Sequence, residues 1–270
     1  MSIRPAQPQS IGGVLDTTFQ LYKASVVKMI PLSVLMSVAE APTSVFFFTQ
    51  GGAATSTNPY AVLELMGSPT FLLVAFVQLI LTTWVMSAGY LKVGAIGAGG
   101  DLGIGAALQK ALTRLPSLVV MIIVVFIALI IALILLIVPF FILTVSLALC
   151  YTLVMLEDRG PIEALSESHR LVWGNWWRTA AILTVGFIII FVISMVAGVI
   201  TGVLTPLLVL GGGAAYVLLL STIVGWVVGV GMNVLLAPFY IALPISVYWD
   251  LKLRKDGGDL AARVGALNPA

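Results

Sequence analysis

The stretch 157–178, EDRGPIEALSESHRLVWGNWWR, is the longest strongly polar interruption between the apolar segments of the chain. Glu157, Asp158 and Arg159 close one apolar run. Gly160 and Pro161 then open a helix, because proline is tolerated at the first helical position, where its missing N–H is not needed. Glu163 falls in the first turn, where a carboxylate suits the helix dipole. From there Ile162, Leu165, His169 and Val172 recur at helical spacing on one side, with Glu163, Ser166, Glu167 and Arg170 on the other. This spacing predicts an amphipathic helix of about three turns. It runs into Trp173, Asn175, Trp176, Trp177 and Arg178, rings with a cation of the kind that settles at headgroup level before a membrane span. The stretch reads as a re-entry point into a bilayer.

Composition agrees. Hydrophobic residues make up 60% of the 270 and charged residues 9%, and the mean hydropathy is +1.15. Ordinary soluble domains carry roughly 25% charged residues. The expected class is therefore an all-α, polytopic helical membrane protein. The single cysteine, Cys150, lies inside an apolar run, so it forms no intrachain disulfide and reads as a small core residue.

Two further copies of the amphipathic device lie upstream. Residues 1–10 form a polar leader without the apolar region of a cleaved signal peptide. Ser10 is placed to cap a helix whose Ile11, Leu15, Phe19 and Tyr22 oppose Asp16, Gln20 and Lys23. Asp101 is placed to cap a second, with Ile104, Leu108, Ala111, Leu112 and Leu115 opposite Gln109, Lys110, Thr113 and Arg114. Each copy precedes a pair of apolar runs, which predicts about six transmembrane helices in three amphipathic-helix-plus-hairpin units, forming one domain over the whole chain.

The first span is expected beyond Lys28, interrupted by Glu40 and Pro42, and the second over about 71–91, closed by Lys92. Between them 49–69 reads as a loop with a short helix around 61–66. Residues 117–156 carry no charge, and one helix of that length would reach about 60 Å, twice the hydrocarbon thickness. The segment must fold back, with Pro139 the expected turn. A fifth span is expected over about 179–204, broken off by Thr205, Pro206 and the triplet Gly211 to Gly213. A sixth runs to about Tyr248, kinked near Pro238 and Pro244, before a short basic tail over 250–270.

With six spans, the leader with its helix, the connectors at 92–116 and 157–178, and the tail fall on one face. They hold all thirteen Lys and Arg. The positive-inside rule then predicts cytoplasmic termini in a cytoplasmic membrane. The expected partners are the bilayer, with its anionic phospholipids, and a membrane or cytoplasmic protein; nothing points to nucleic acid. Ser194, Gly198 and Gly202 in the fifth span, with Ser221, Gly225 and Gly229 in the sixth, make small-residue ridges expected to pack these spans together.

No nucleophile, metal-ligand or phosphate-loop motif is present, so no catalytic, cofactor or metal residue is assigned, and GAIGAGGDLGIG at 94–105 does not fit the dinucleotide fingerprint. His169, on the apolar side of its helix, is expected to pack. Gln78 and Asn233 are expected to hydrogen-bond across helices. Glu40 is the exceptional residue: twelve residues beyond Lys28 it lies about 18 Å along a helix, where an acid without a cation takes up a proton. It is expected to donate to the Val38 carbonyl that Pro42 frees. The runner-up role is proton or cation exchange in a small-solute or ion-coupled transporter.

The segments RPAQPQSIGGVLDTTFQLYK at 4–23, LEDRGPIEALSESHRLVWGNWWRT at 156–179 and APFYIALPISVYWDLKLRKDG at 237–257 resemble the membrane domain associated with glycerophosphodiester phosphodiesterases, a bacterial family of six-span proteins. The resemblance extends over nearly the whole chain. It implies a membrane anchor or partner. The catalytic barrel that some members carry needs on the order of 250 further residues, and no catalytic residue is carried over.

Overall fold

The structure, a computed structural model, describes residues 2–50, 60–209 and 214–267, and of 204–209, 214–219 and 258–267 the backbone alone. The described regular structure is helical throughout: α1 (Ile11–Ala39), α2 (Ala41–Thr49), α3 (Ala61–Met66), α4 (Pro69–Gly97), α5 (Ile104–Leu135), α6 (Ile137–Ser146), α7 (Cys150–Glu157), α8 (Pro161–Val172), α9 (Trp176–Val209) and α10 (Ala214–Leu267). Six stretches are long and apolar enough to cross a membrane: α1 with α2, α4, α5, α6 with α7, α9 and α10. The chain is a multi-pass helical membrane protein.

Several starts and stops follow the local chemistry. Ser10 caps α1, its hydroxyl accepting from the Gly13 N–H at 3.1 Å. Gly160 caps α8 with Pro161 in its first turn, and the short helix at Ala61–Met66 forms as expected. Asp101 caps nothing: Gly103 precedes α5, and Asp101 binds lysines instead. The reversal expected at Pro139 falls at Leu136, the one extended residue between α5 and α6. Pro139 sits in the first turn of α6, where it costs no helical bond. Helix α9 continues through Thr205 and Pro206 to Val209, since a backbone without water keeps its own bonds; Gly211 to Gly213 lie outside the described residues. The expected tail is a continuation of α10, which runs through Pro238 and Pro244 to Leu267.

Two of the three amphipathic stretches are continuous with the span that follows. Only α8 stands apart, cut off by Trp173, Gly174 and Asn175, with Gly174 at φ +93°, a left-handed conformation that favours glycine. The inward faces differ from those expected. In α1 the buried residues are Val14, Thr17, Thr18, Leu21, Ser25, Met29, Leu32, Ser33, Met36, Ser37 and Ala39, while Ile11 and Phe19 are exposed. In α8 they are Ala164, Ser168, Leu171 and Val172, while Ile162 and His169 are exposed. Helix α5 comes nearer to expectation, burying Ala107 and Ala111 but exposing Leu112.

The core surrounds α10. Every residue from 241 to 251 is buried, and α10 touches α1, α4, α7, α8 and α9. Helices α1 and α10 run antiparallel, from Gln9 beside Asp250 to Glu40 beside Asn233. Close helix approach occurs at glycines other than those of the ridges. A Cβ on Gly89 would lie 2.7 Å from Ile241, and one on Gly94 2.6 Å from Leu156; on Gly97 it would meet Trp249, and on Gly186 it would meet Leu243. The break between α6 and α7 is stitched from outside the span. Ser168 of α8 accepts from the Leu149 N–H at 3.2 Å and donates to the Ser146 carbonyl at 2.7 Å.

Candidate functional site

Three constellations stand out, two at the charged end and one at the α1–α2 junction. The first is an ionic clamp on Asp250. Its side chain is 1% exposed, and Oδ2 accepts from Arg178 Nη2 at 3.0 Å and from Arg254 Nε at 3.0 Å, while Oδ1 accepts from the Gln9 N–H at 2.7 Å. Both guanidinium groups also donate to the Gln9 carbonyl, and Thr17 donates to the Gln9 amide oxygen at 2.9 Å. The clamp ties the leader to α1, α9 and α10. Ile3 and Arg4 add main-chain bonds to the Gly97 carbonyl at 2.9 and 3.2 Å.

The same end gathers the other charges. Asp101 lies 3.1 Å from Lys28 and 3.0 Å from the buried Lys92, and hydrogen bonds from Lys92 and then Lys28 hold its carboxyl below the usual carboxylate range. Arg114 pairs with Asp158; Glu157 takes Tyr248, Lys252 and Arg159; Lys255 donates to the Arg170 carbonyl at 2.6 Å. The leader and both basic connectors therefore meet the 248–255 segment of α10, as an even number of spans between them requires.

The second constellation is an apolar cleft of about 510 Å³, walled by Val138, Phe141 and Ile142 of α6 and by Trp173, Gly174, Trp176 and Trp177. Trp176 Nε1 donates to the Ile142 carbonyl at 3.2 Å, and its ring meets Trp177 edge-on at 4.7 Å. Trp173 stacks on His169 at 5.0 Å, so the histidine packs at the surface and not in the core. Arg170 pairs with Glu167 on its own helix.

The third is the α1–α2 junction. Glu40 ends α1 and precedes α2, whose first turn holds Pro42. Its main-chain N–H turns back to the Met36 carbonyl at 3.0 Å. The carboxylate instead accepts from Asn233 Nδ2 of α10 at 3.0 Å. Gln78 of α4 accepts from both the N–H and the hydroxyl of Thr43, at 2.9 and 2.7 Å, supplying the partner that the broken helix lacks. Glu40, Gln78 and Asn233, far apart in sequence, thus serve one junction.

Among the described residues the small-residue ridges do not mark the α9–α10 contact. The two helices touch, but among the described residues a Cβ on Gly198, Gly202, Gly225 or Gly229 would meet nothing within 4 Å. Ser194 is exposed and Ser221 half-buried. The contact runs through Gly186 and Leu243 instead. Read as the start of a tail, Asp250 gives no sign of the clamp, although the Asp250–Arg254 spacing of four residues suits a helical ion pair and the flanking Trp249 and Leu251 carry the apolar run past it.

The profile of the family described as "Domain of unknown function (DUF7847)" matches residues 14–251. The chain belongs to the DUF7847 family. No curated protein and no solved structure matches it. The DUF7847 match takes in the α1–α2 junction, the tryptophan cleft, Arg178 and Asp250, and leaves Gln9 and Arg254 just beyond its ends.

Proposed function

We propose that the chain is a non-enzymatic integral protein of a bacterial cytoplasmic membrane, with both termini cytoplasmic, that assists phospholipid handling or envelope assembly as an anchor or scaffold. In this reading the tryptophan cleft seats an acyl chain of an anionic phospholipid, and a membrane or cytoplasmic partner docks on the charged end. The cleft carries the proposal. It is apolar and indole-walled, and its last wall residue, Trp177, adjoins Arg178 at the end of the bundle where the lysines and arginines of the connectors gather. The resemblance of the leader, the 156–179 segment and the 237–257 segment to a membrane domain that accompanies phospholipid-product hydrolases supports the same class of role.

Native mass spectrometry of the detergent-purified protein tests it. Phosphatidylglycerol should be retained in preference to phosphatidylcholine, and Trp176→Ala with Trp177→Ala should abolish the preference while the protein stays monodisperse. Equal retention of the two lipids, or retention untouched by the double substitution, would overturn the proposal.

A further inference from the structure

Glu40 lies in a membrane-spanning stretch with no cation to answer it. The sequence holds no Lys, Arg or His from 29 to 91 or from 179 to 251, and among the described residues Glu40 joins no ion pair. Its partner is a neutral amide. From Asn233 to the Asp250 clamp is about 26 Å of helix, so the counter-charges at the basic end do not reach it.

The pair is open to its surroundings. Glu40 is exposed, and it lines two clefts together with Asn233. One, of about 210 Å³, adds Ser37, Ser44 and Trp226; the other, of about 350 Å³, adds Thr82, Met86 and Tyr240. Irregular backbone inside a membrane is tolerated where it lines a cavity, and the break at Glu40 fits that pattern.

Two hydroxyls on the clefts are left as acceptors. Ser37 gives its hydroxyl hydrogen to the Ser33 carbonyl at 3.3 Å, and Thr82 gives its own to the Gln78 carbonyl at 2.8 Å. Their lone pairs are left for an occupant. Asn233 donates to Glu40 through Nδ2 and keeps Oδ1 as a further acceptor. The rings of Trp226 and Tyr240 add π surface of the kind that attracts a cation. A hard metal ion would need about six oxygens drawn in tightly around it, whereas these are spread over two clefts. An ammonium group, with N–H donors on a compact organic body, matches both the acceptors and the rings.

We propose that Glu40 and Asn233 form a binding site for a small organic ammonium ion within the membrane-spanning part of the protein. The proposal goes beyond the phospholipid reading and does not rest on it. The ammonium takes its charge partner from Glu40, its second acceptor from Asn233 Oδ1, and its selectivity over metal ions from the one ring of the cleft it occupies, Trp226 or Tyr240. A free amine and the amine headgroup of a lipid share this chemistry.

The test uses the full chain in nanodiscs of phosphatidylglycerol with radiolabelled methylammonium as probe. Binding should be saturable, at least about tenfold weaker in Glu40→Gln, and weakened in Asn233→Ala, because a charge-assisted hydrogen bond is lost in each. A measurement on the parent protein covers misfolding of the variants: methylammonium should protect Glu40 from a hydrophobic carbodiimide, read by mass spectrometry of its peptide. Adding phosphatidylethanolamine to the nanodiscs separates the sources. If it competes, the site takes a lipid headgroup; if it does not, the site takes a free amine. Absence of saturable binding, binding unchanged in a folded Glu40→Gln variant, or absence of protection would overturn the proposal.

Discussion

Asp250 accepts from two guanidinium groups and a main-chain N–H while hidden from solvent. A buried carboxylate is tolerable only with such partners, and removing it strands the charges around it. Asp250→Ala is expected to cost about 3 kcal/mol, the lower part of the range for a broken buried pair, because Arg178 and Arg254 are partly exposed and water screens what is left. Arg254→Ala should cost about 1 kcal/mol or less, since Arg178 stays in place. Thermal unfolding in detergent reads both, and an unfolding midpoint in Asp250→Ala equal to that of the parent would show that the clamp contributes nothing.

Among the elements, what could be read from the chain was where helices exist and how some begin. Run length against bilayer thickness gave the spans, and Ser10, Gly160 and Pro161 have only one good use each. Which face turns inward was not legible. Lipid is as apolar as a protein core, so an apolar stripe such as Ile11 and Phe19, or Ile162, does not point at the bundle. Small residues that permit close approach do, and Thr18, Ser25, Ser33 and Ser168 are buried. Glycines have the same ambiguity, resolved by what lies opposite. Gly97→Ala would drive a methyl into the Trp249 ring and Leu21 and is expected to cost about 1–3 kcal/mol. At Gly198 and Gly202 an added methyl meets nothing within 4 Å among the described residues, and Gly198→Ala and Gly202→Ala should change stability by less than about 0.5 kcal/mol. Unfolding of the three variants compares them directly; equal losses would contradict the packing at Gly97.

At the level of the whole molecule, the packed and ion-paired end contrasts with spans whose apolar residues lie open, among them Phe126, Ile134, Phe187 and Val199. That surface suits lipid. The collection of basic connectors at one end was legible from charge alone, whereas the Glu40–Asn233 and Asp250–Gln9 pairings were not, because each joins residues near opposite ends of the chain. The topology has a cheap check, since Cys150 is buried and is the one cysteine. In a Cys150→Ser background, Tyr60→Cys should react with an impermeant thiol reagent added to intact cells, and Ser166→Cys should react only after the membrane is opened. Both positions are exposed. The reverse pattern would invert the orientation, and labelling of both from outside would break the span count.

The Ser168 stitch bears on the order in which the protein can be completed. Leu149 lies nineteen residues ahead of Ser168, so the partner for its N–H is made after the fourth span. An unsatisfied backbone group in hydrocarbon costs several kcal/mol. The fourth span is therefore finished by the segment made after it, and its last open N–H is closed only when α8 docks.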